Sequence, residues 1–237
     1  YREYVTEAMK TFLQDTTDEK VLEVLEIGIH HEKQHQELLL TDIKFILGNN
    51  PLLPVYSEKF QDHPVETHQQ DWISLDTRLY EIGHDNEGFC YDNELGRHKV
   101  HLESFEISNK LVTNEEYLKF ITDKGYQRFE LWHAEGWDWV NQNQVKSPLY
   151  WHLVDQEWYH YTAKGLEEVD LKAPVTHISY YEAFAFAQWA GYRLPTEFEW
   201  EVASEFFPWG KRWEWTESAY LPYPNYTKVD GALGEYN

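Results

Sequence analysis

Two histidines four residues apart carry the clearest chemical signal in this sequence. His31 and His35 lie in an uninterrupted run of helix-forming residues. In an α-helix, residues four apart project from the same face, one turn apart. Imidazole nitrogens in an apolar environment need partners, and one metal ion can serve both rings. The spacing therefore predicts two ligands of zinc, iron, copper or nickel, and the alternative is a pair of solvated or hydrogen-bonded core histidines.

The same segment also matches a pattern of zinc proteases. His31-Glu32-Lys33-Gln34-His35 fits H-E-x-x-H, in which Glu32 would be the general base. The glycine and third histidine of the metzincin continuation are absent, and the helical pattern runs on for three turns. A downstream glutamate could still complete a zinc site. The spacing alone therefore leaves both metal chemistries open.

Residues 1–50 contain few glycines or prolines, and their apolar residues recur with the periodicity of two helices. A two-column apolar stripe over residues 4–13 is in phase from the first residues, so we expect the functional protein to begin further upstream. Thr16 and Glu19 have the spacing of a capping box, and a long helix is predicted from Asp18 to Leu47. Two helices cannot bury their apolar stripes alone, which predicts half of a four-helix bundle. The face expected to point into that bundle consists of Val24, Gly28, His31, His35, Leu38, Asp42 and Phe45.

The rest of the chain differs from residues 1–50 in composition and in predicted secondary structure. Residues 51–70 contain three prolines and mixed polar residues, as in a linker. Residues 71–237 read as a loop-rich α+β domain, with one bulged strand over 100–107 and a hairpin over 151–161. Three more capping boxes predict helix starts, at Thr113/Glu116, Ser179/Glu182 and Thr196/Glu199.

Composition excludes several classes of function. The 237 residues include 20 Lys+Arg and 42 Asp+Glu, a formal net charge of −22. Such a chain is a poor match for a nucleic-acid backbone or an anionic membrane surface. The single cysteine, Cys90, permits no intrachain disulfide and no zinc cluster built on cysteines. No apolar run is long enough to span a bilayer, so the expectation is a soluble, cytoplasmic protein without a nucleic-acid or membrane partner.

Two long runs resemble a known family. The segments from Pro174 to Ala183 and from Trp189 to Glu201 closely resemble the hallmark of the formylglycine-generating-enzyme (sulfatase-modifying-factor) fold, a C-type-lectin-like α+β domain. The segments 111–117 and 213–216 resemble further landmarks of that family. The formylglycine-generating enzymes themselves use paired cysteines for copper, and only Cys90 is present here.

The whole chain resembles a DinB-like helical bundle fused to this lectin-like domain, as in the ergothioneine-biosynthesis sulfoxide synthases. The resemblance implies that His31 and His35 are two of three histidines that hold Fe(II), and that Gln34 contacts the histidine-betaine substrate. The third ligand would precede Tyr1, and the family continues beyond Asn237. The resemblance therefore implies a polypeptide truncated at both ends, with no catalytic residue that can be assigned in it.

The implied reaction joins the sulfur of cysteine or γ-glutamylcysteine to the imidazole C2 of N-α-trimethylhistidine (hercynine), with O2 as oxidant and a sulfoxide as product. Three neutral histidine ligands would leave three positions of an octahedron for the reactants. The many aromatic side chains would suit a trimethylammonium group. A zinc hydrolase built on Glu32 and a non-catalytic lectin-like binding module are the competing hypotheses. The oxygen-rich loop from Asn86 to Glu94 could bind calcium, although a simple turn is the stronger interpretation.

Overall fold

We describe the protein from a computed structural model. The structure describes residues 1–61, 71–85, 87–228, 230 and 234. Residues 62–70 of the predicted linker therefore lie outside the described residues, as does Asn86 of the predicted loop. Among the residues that are described, no helix combines the length and apolar character needed to cross a bilayer.

Two helices open the chain, α1 (Arg2–Asp15) and α2 (Glu19–Gly48). The predicted capping box at Thr16 and Glu19 is wrong, because Asp18 is the N-cap of α2 and its carboxylate accepts the backbone N–H of Lys20 at 3.0 Å. An aspartate next to the first helical turn reaches the free N–H groups directly, and it also favours the positive end of the helix dipole.

The face predicted to point into a bundle is exposed in this structure. Val24, Leu38 and Phe45 are 66 %, 53 % and 54 % exposed, and neither helix contains a buried residue. A four-helix bundle would cover this face with further helices, and it stays a prediction.

The remaining elements form the mixed helix and sheet structure that the sequence predicts. The strands are β1 (Trp72–Leu75), β2 (Arg78–Ile82), β3 (His98–Leu102), β4 (Phe105–Ser108), β5 (Trp151–Val154), β6 (Glu157–Thr162) and β7 (Gly165–Glu168). Within the described ranges they are short and antiparallel and make three sheets, in the orders β1–β4, β2–β3 and β5–β6–β7. The helices are α3 (Asn114–Thr122), α4 (Ala134–Asn143), α5 (Tyr180–Trp189) and α6 (Glu197–Ala203).

The prediction of one bulged strand over residues 100–107 is wrong. The chain makes two strands in different sheets, with Val100 opposite Tyr80 and Ile107 opposite Ile73. The ladder is interrupted where Thr77 faces Ser104, because the Thr77 hydroxyl accepts the Ser104 N–H at 2.9 Å in place of a backbone carbonyl. A shift in the alternation of apolar residues along the sequence can indicate either a bulge within one strand or a break between two strands.

The other local predictions in this region are confirmed. β5 and β6 form the predicted hairpin, and Asp155 and Gln156 adopt φ values of 49° and 71°, as a tight type I′ turn requires. All three predicted capping boxes are present, at the starts of α3, α5 and α6. Between α3 and α5 lies the main apolar cluster, whose buried members include Tyr117, Phe120, Tyr126, Leu131, Trp132, Val140 and Ala185.

Candidate metal centre

His31 and His35 converge on one point beside α2. Their Nε2 atoms lie 3.0 Å apart, and the ring planes are inclined at 67° with centroids 4.4 Å apart. The regular helical geometry from Asp18 to Gly48 produces this convergence, because four residues advance the chain by slightly more than one turn. Without a metal, one ring N–H can donate to the nitrogen of the other.

The separation of the two nitrogens fits a shared metal ion. Two metal–nitrogen bonds of about 2.1 Å at a right angle bring the nitrogens to about 3.0 Å, whereas a tetrahedral angle brings them to about 3.4 Å. The observed 3.0 Å is within reach of one shared metal ion, and it is also the length of an ordinary hydrogen bond between the two rings. Within the described part of the chain, no group of three or more His, Cys, Asp or Glu side chains is arranged to hold a metal. A metal ion bound by this pair would therefore need further ligands.

The α+β domain contacts α2 on both sides of the histidine pair. His30 stacks on Phe89 with centroids 3.9 Å apart and planes inclined at 7°. Seven residues further along the helix, the Glu37 carboxylate accepts the indole N–H of Trp213 at 2.5 Å. Because seven residues span two turns, both contacts lie on one side of the helix. Along the helix axis, one lies before His31 and the other after His35.

Gln34 lies on the helix between these two contacts, and its side-chain oxygen is buried without a hydrogen-bond partner among the residues that the structure describes. A buried amide oxygen without a donor costs about 1–3 kcal/mol. A bound ligand or a water molecule could supply such a donor.

The arrangement around Glu32 differs from that of a metalloprotease base. The Glu32 carboxylate accepts from Arg2 of α1 at 3.2 Å and from Gln36 of its own helix at 3.4 Å. Its side chain is about half exposed. Glu32 thus links α1 to α2.

A cavity of about 1460 Å³ separates α2 from the domain. The helix contributes wall residues from Glu37 to Leu47, beginning two residues after His35. The wall also includes Lys44, whose ammonium group lies 2.7 Å from Nε2 of His177 and over the ring of Tyr150 at 5.1 Å. The pKa of His177 is lowered well below its usual value, first because surrounding protein removes solvent and then because of the positive charge of Lys44. His177 lines the cavity wall, and the positive charge of Lys44 close to its ring disfavours a second positive charge there.

The long signature run around α6 has a structural role. Arg193 makes two hydrogen bonds to the Glu199 carboxylate, at 2.7 and 2.6 Å, and Glu199 also accepts the backbone N–H of Thr196. Burial alone would raise the pKa of Glu199, but these donors outweigh it and the pKa is lowered. The run therefore fixes the start of α6 and its connection to the preceding loop.

The loop predicted as a turn or a calcium site is a turn in its described part. The Glu94 carboxylate accepts the backbone N–H of Tyr91 at 2.7 Å, and Asp92 is buried. The same loop carries Phe89 to its contact with His30. A calcium ion there stays a prediction.

Sequence reasoning placed Trp213 among family landmarks and gave no role to Phe89, Lys44 or His177. The sequence does contain a pattern that matches the side of α2 in contact with the domain. Its residues are spaced alternately by four and three positions, as on one face of a helix: His30, Gln34, Glu37, Thr41, Lys44 and Gly48. The stripe is polar, and hydrophobic periodicity therefore does not detect it.

Comparison with known proteins adds to this geometry. A family model described as the sulfatase-modifying factor enzyme 1-like domain matches residues 57–230. The chain belongs to this family. The sulfatase-modifying-factor-like domain thus includes the capped helices α3, α5 and α6 and the cavity wall that faces α2.

Several curated relatives extend the similarity. A hercynine oxygenase of Mycobacterium tuberculosis is 31 % identical over 196 residues, which cover 79 % of this chain and 45 % of the relative. A hercynine oxygenase of Mycolicibacterium smegmatis is 28 % identical over 249 residues, covering 85 % and 57 %. An inactive C-alpha-formylglycine-generating enzyme 2 of Mus musculus is 32 % identical over 143 residues, covering 52 % and 46 %. The chain spans about half the length of the curated relatives it matches.

Proposed function

We propose that this chain is part of a non-heme iron enzyme that uses O2 to join the sulfur of cysteine or γ-glutamylcysteine to hercynine, with a sulfoxide as product. The observation that carries the proposal is the convergence of His31 and His35 on one point, bracketed by contacts with the sulfatase-modifying-factor-like domain. The similarity to relatives named hercynine oxygenase supports the oxidative chemistry and the substrate class.

His31 and His35 would hold Fe(II) through Nε2, and a third ligand would come from outside the described residues. Neutral imidazoles leave the positive charge of the metal for an incoming thiolate to balance. Bound iron would supply the redox chemistry that an unactivated imidazole C2–H bond requires. Holding both substrates at one centre removes much of the entropic cost of their encounter, an effect of up to about 7–11 kcal/mol.

Two side chains along α2, Gln34 of the helix and Trp213 held against it, suit a histidine betaine. The buried oxygen of Gln34, which has no partner in the described part of the chain, would accept an N–H from the substrate. Trp213, an exposed indole held against the carboxylate of Glu37, offers the aromatic face and negative charge that attract a trimethylammonium group. Both side chains would bind and orient the substrate.

The experiment measures iron binding and O2 consumption by the protein that contains this chain, prepared without oxygen. We expect Fe(II) to bind, and O2 to be consumed only when a thiol and hercynine are both present. His31→Ala and His35→Ala should each lose Fe(II) binding and at least about 100-fold in turnover, because second-shell changes alone cost 10–100-fold in metal sites. His101→Ala is the matched control, since His101 is an exposed histidine of β3.

Full turnover in either α2 variant would refute the assignment of the ligands. Recovery of zinc in place of iron, together with peptide hydrolysis abolished by Glu32→Gln, would replace the proposal by a zinc hydrolase. Absence of any bound metal would favour a non-catalytic binding module.

A further inference from the structure

The loop between β2 and β3 carries Phe89 against α2, next to the pair of histidines. The ring of Phe89 stacks on His30 with centroids 3.9 Å apart and planes inclined at 7°. His30 directly precedes His31 on the helix. The stack therefore joins the domain to the residue beside the first of the two candidate ligands.

The loop holds Phe89 in place through contacts of its own. The Glu94 carboxylate accepts the backbone N–H of Tyr91 at 2.7 Å, and the Glu94 carbonyl accepts the N–H of His84 at 2.9 Å. The ring of Tyr91 meets Phe89 edge to face, with centroids 5.0 Å apart and planes inclined at 83°. Edge-to-face pairs at this separation are a favourable aromatic arrangement. The position of Phe89 is thus set within the loop.

The domain anchors the loop at two further points. At the start of the loop, the backbone N–H of Gly83 donates to the Glu201 carboxylate of α6. Beyond Phe89, the side-chain amide of Asn93 donates to the hydroxyl of Tyr220 at 2.8 Å. The signature helix α6 is therefore connected through the loop to Phe89, and through Phe89 to α2.

At the level of the stack, α2 has one covered side. His30, His31 and Gln34 are half-buried on this side. The neighbouring positions of the helix are exposed, namely Gly28, Ile29, Glu32 and Lys33. The covered side of the helix is thus the side that carries the contact with Phe89.

The second contact on this side of α2 is the hydrogen bond from Trp213 to Glu37. The Trp213 side chain is 90 % exposed, whereas His30 and Phe89 are both half-buried. The stack is therefore the more closely packed of the two contacts, and the more effective one in opposing a rotation of α2.

A small rotation of α2 would displace the candidate ligands by a large amount. Side-chain tips lie about 5–6 Å from the axis of a helix, so a rotation of about 10° moves them by about 1 Å. Functional sites need their groups held to within about 0.5 Å of the productive geometry. A contact that fixes the rotation of the helix therefore bears directly on metal binding.

We propose that Phe89 is a positioning residue, which fixes the rotation of α2 on the domain through His30 and so places His31 and His35 relative to the remaining ligands of their metal. This role rests on the proposed function, because it takes the two histidines as metal ligands. The loop predicted as a turn or a calcium site would then serve the metal centre. Residues that orient metal ligands from outside the coordination shell contribute about 10–100-fold in metal affinity.

The test measures the dissociation constant of Co(II) by visible absorbance, in the protein that contains this chain, prepared without oxygen or other metals. A given nitrogen site binds Co(II) more tightly than Fe(II), and the absorbance reports binding without turnover. Phe89→Leu keeps an apolar side chain but removes the ring, and it should weaken Co(II) binding at least about fivefold. Phe89→Tyr keeps the ring and should bind like the wild type. Phe206→Leu is the matched control, since Phe206 is an exposed phenylalanine of the domain, and it should also bind like the wild type.

A double-mutant cycle separates positioning from a general loss of structure. His30→Leu removes the same stack from the helix side and should weaken Co(II) binding to a similar extent, which keeps the test available if Phe89→Leu fails to fold. The double variant should bind no more weakly than either single variant, because both remove one interaction. Partial unfolding would lower the number of Co(II) ions bound and leave the dissociation constant of the folded fraction unchanged.

The outcomes distinguish this role from the proposed function. Wild-type affinity in either folded single variant, or additive losses in the double variant, would overturn the role of Phe89 and leave the proposed function in place. Absence of Co(II) binding by the wild type would overturn both, because it removes the assignment of the ligands. Weakened Co(II) binding by the variants of a protein that forms no sulfoxide would support the role of Phe89 and refute the proposed reaction.

Discussion

Glu199→Gln tests whether the signature run around α6 stabilises the domain through its buried ion pair. Glu199 is 8 % exposed and accepts two hydrogen bonds from Arg193, at 2.7 and 2.6 Å, and one from the N–H of Thr196 at 2.8 Å. Glutamine keeps the shape but removes the charge and turns an amide N–H₂ towards these donors. Hydrogen bonds to charged groups contribute about 1.5–3 kcal/mol, and breaking a fully buried pair costs about 3–5 kcal/mol. Since the Arg193 side chain is half exposed and can rehydrate, we expect a loss of about 2–3 kcal/mol at pH 7.

The stabilising contribution of Glu199 should depend on pH in a defined direction. The pKa of Glu199 is lowered in the folded protein, so its stabilising contribution is present above the unfolded value of about 4.3 and is lost as the pH falls through the folded pKa. The difference in unfolding free energy between wild type and Glu199→Gln should therefore be full at pH 7 and shrink below about pH 4.

Urea unfolding followed by tryptophan fluorescence measures this difference at each pH. The matched control is Glu81→Gln, which removes a pair with Arg97 at 3.3 Å in which both side chains are about half exposed. An exposed pair of this kind contributes about 0–1 kcal/mol. A loss below about 0.5 kcal/mol for Glu199→Gln at pH 7, or a difference that does not change with pH, would show that the pair of Glu199 with Arg193 does not stabilise the domain.

Three further substitutions test the packing of α2 and the core by thermal or urea unfolding. Gly48→Ala should destabilise by about 1–3 kcal/mol, because the added Cβ would lie 2.9 Å from the rings of Tyr150 and Tyr161. On the same helix, no atom of the described residues lies within 4 Å of a Cβ added at Gly28, so Gly28→Ala should stabilise by about 0.5–1 kcal/mol. Equal effects at the two glycines would contradict the docking of α2 on the domain. Tyr126→Phe removes the hydroxyl that donates to the buried carboxylate of Glu182 at 2.5 Å, and it should cost about 1–3 kcal/mol, whereas the exposed Tyr4→Phe should leave stability unchanged.

The sequence alone identified the features that depend on near neighbours in the chain. The capping boxes of α3, α5 and α6 are local, since a hydroxyl and a carboxylate three residues apart satisfy the same helix start in any surroundings. The hairpin at Asp155 and Gln156 is local for the same reason. Thr16 and Asp18 can both cap the start of α2, and the sequence pattern alone did not decide between them. Asp18 forms the cap because it is nearer to the first turn of the helix.

The spacing of His31 and His35 by itself determined that their rings meet, because helical geometry brings residues four apart to one side. Only the tertiary structure decided what surrounds them. The stack of His30 on Phe89 and the hydrogen bond from Trp213 to Glu37 join residues 59 and 176 positions apart. The pairing of Lys44 with His177 spans 133 positions. Such contacts depend on how the domain packs against a polar stripe of α2, and polar stripes lack the hydrophobic periodicity from which a buried face is read.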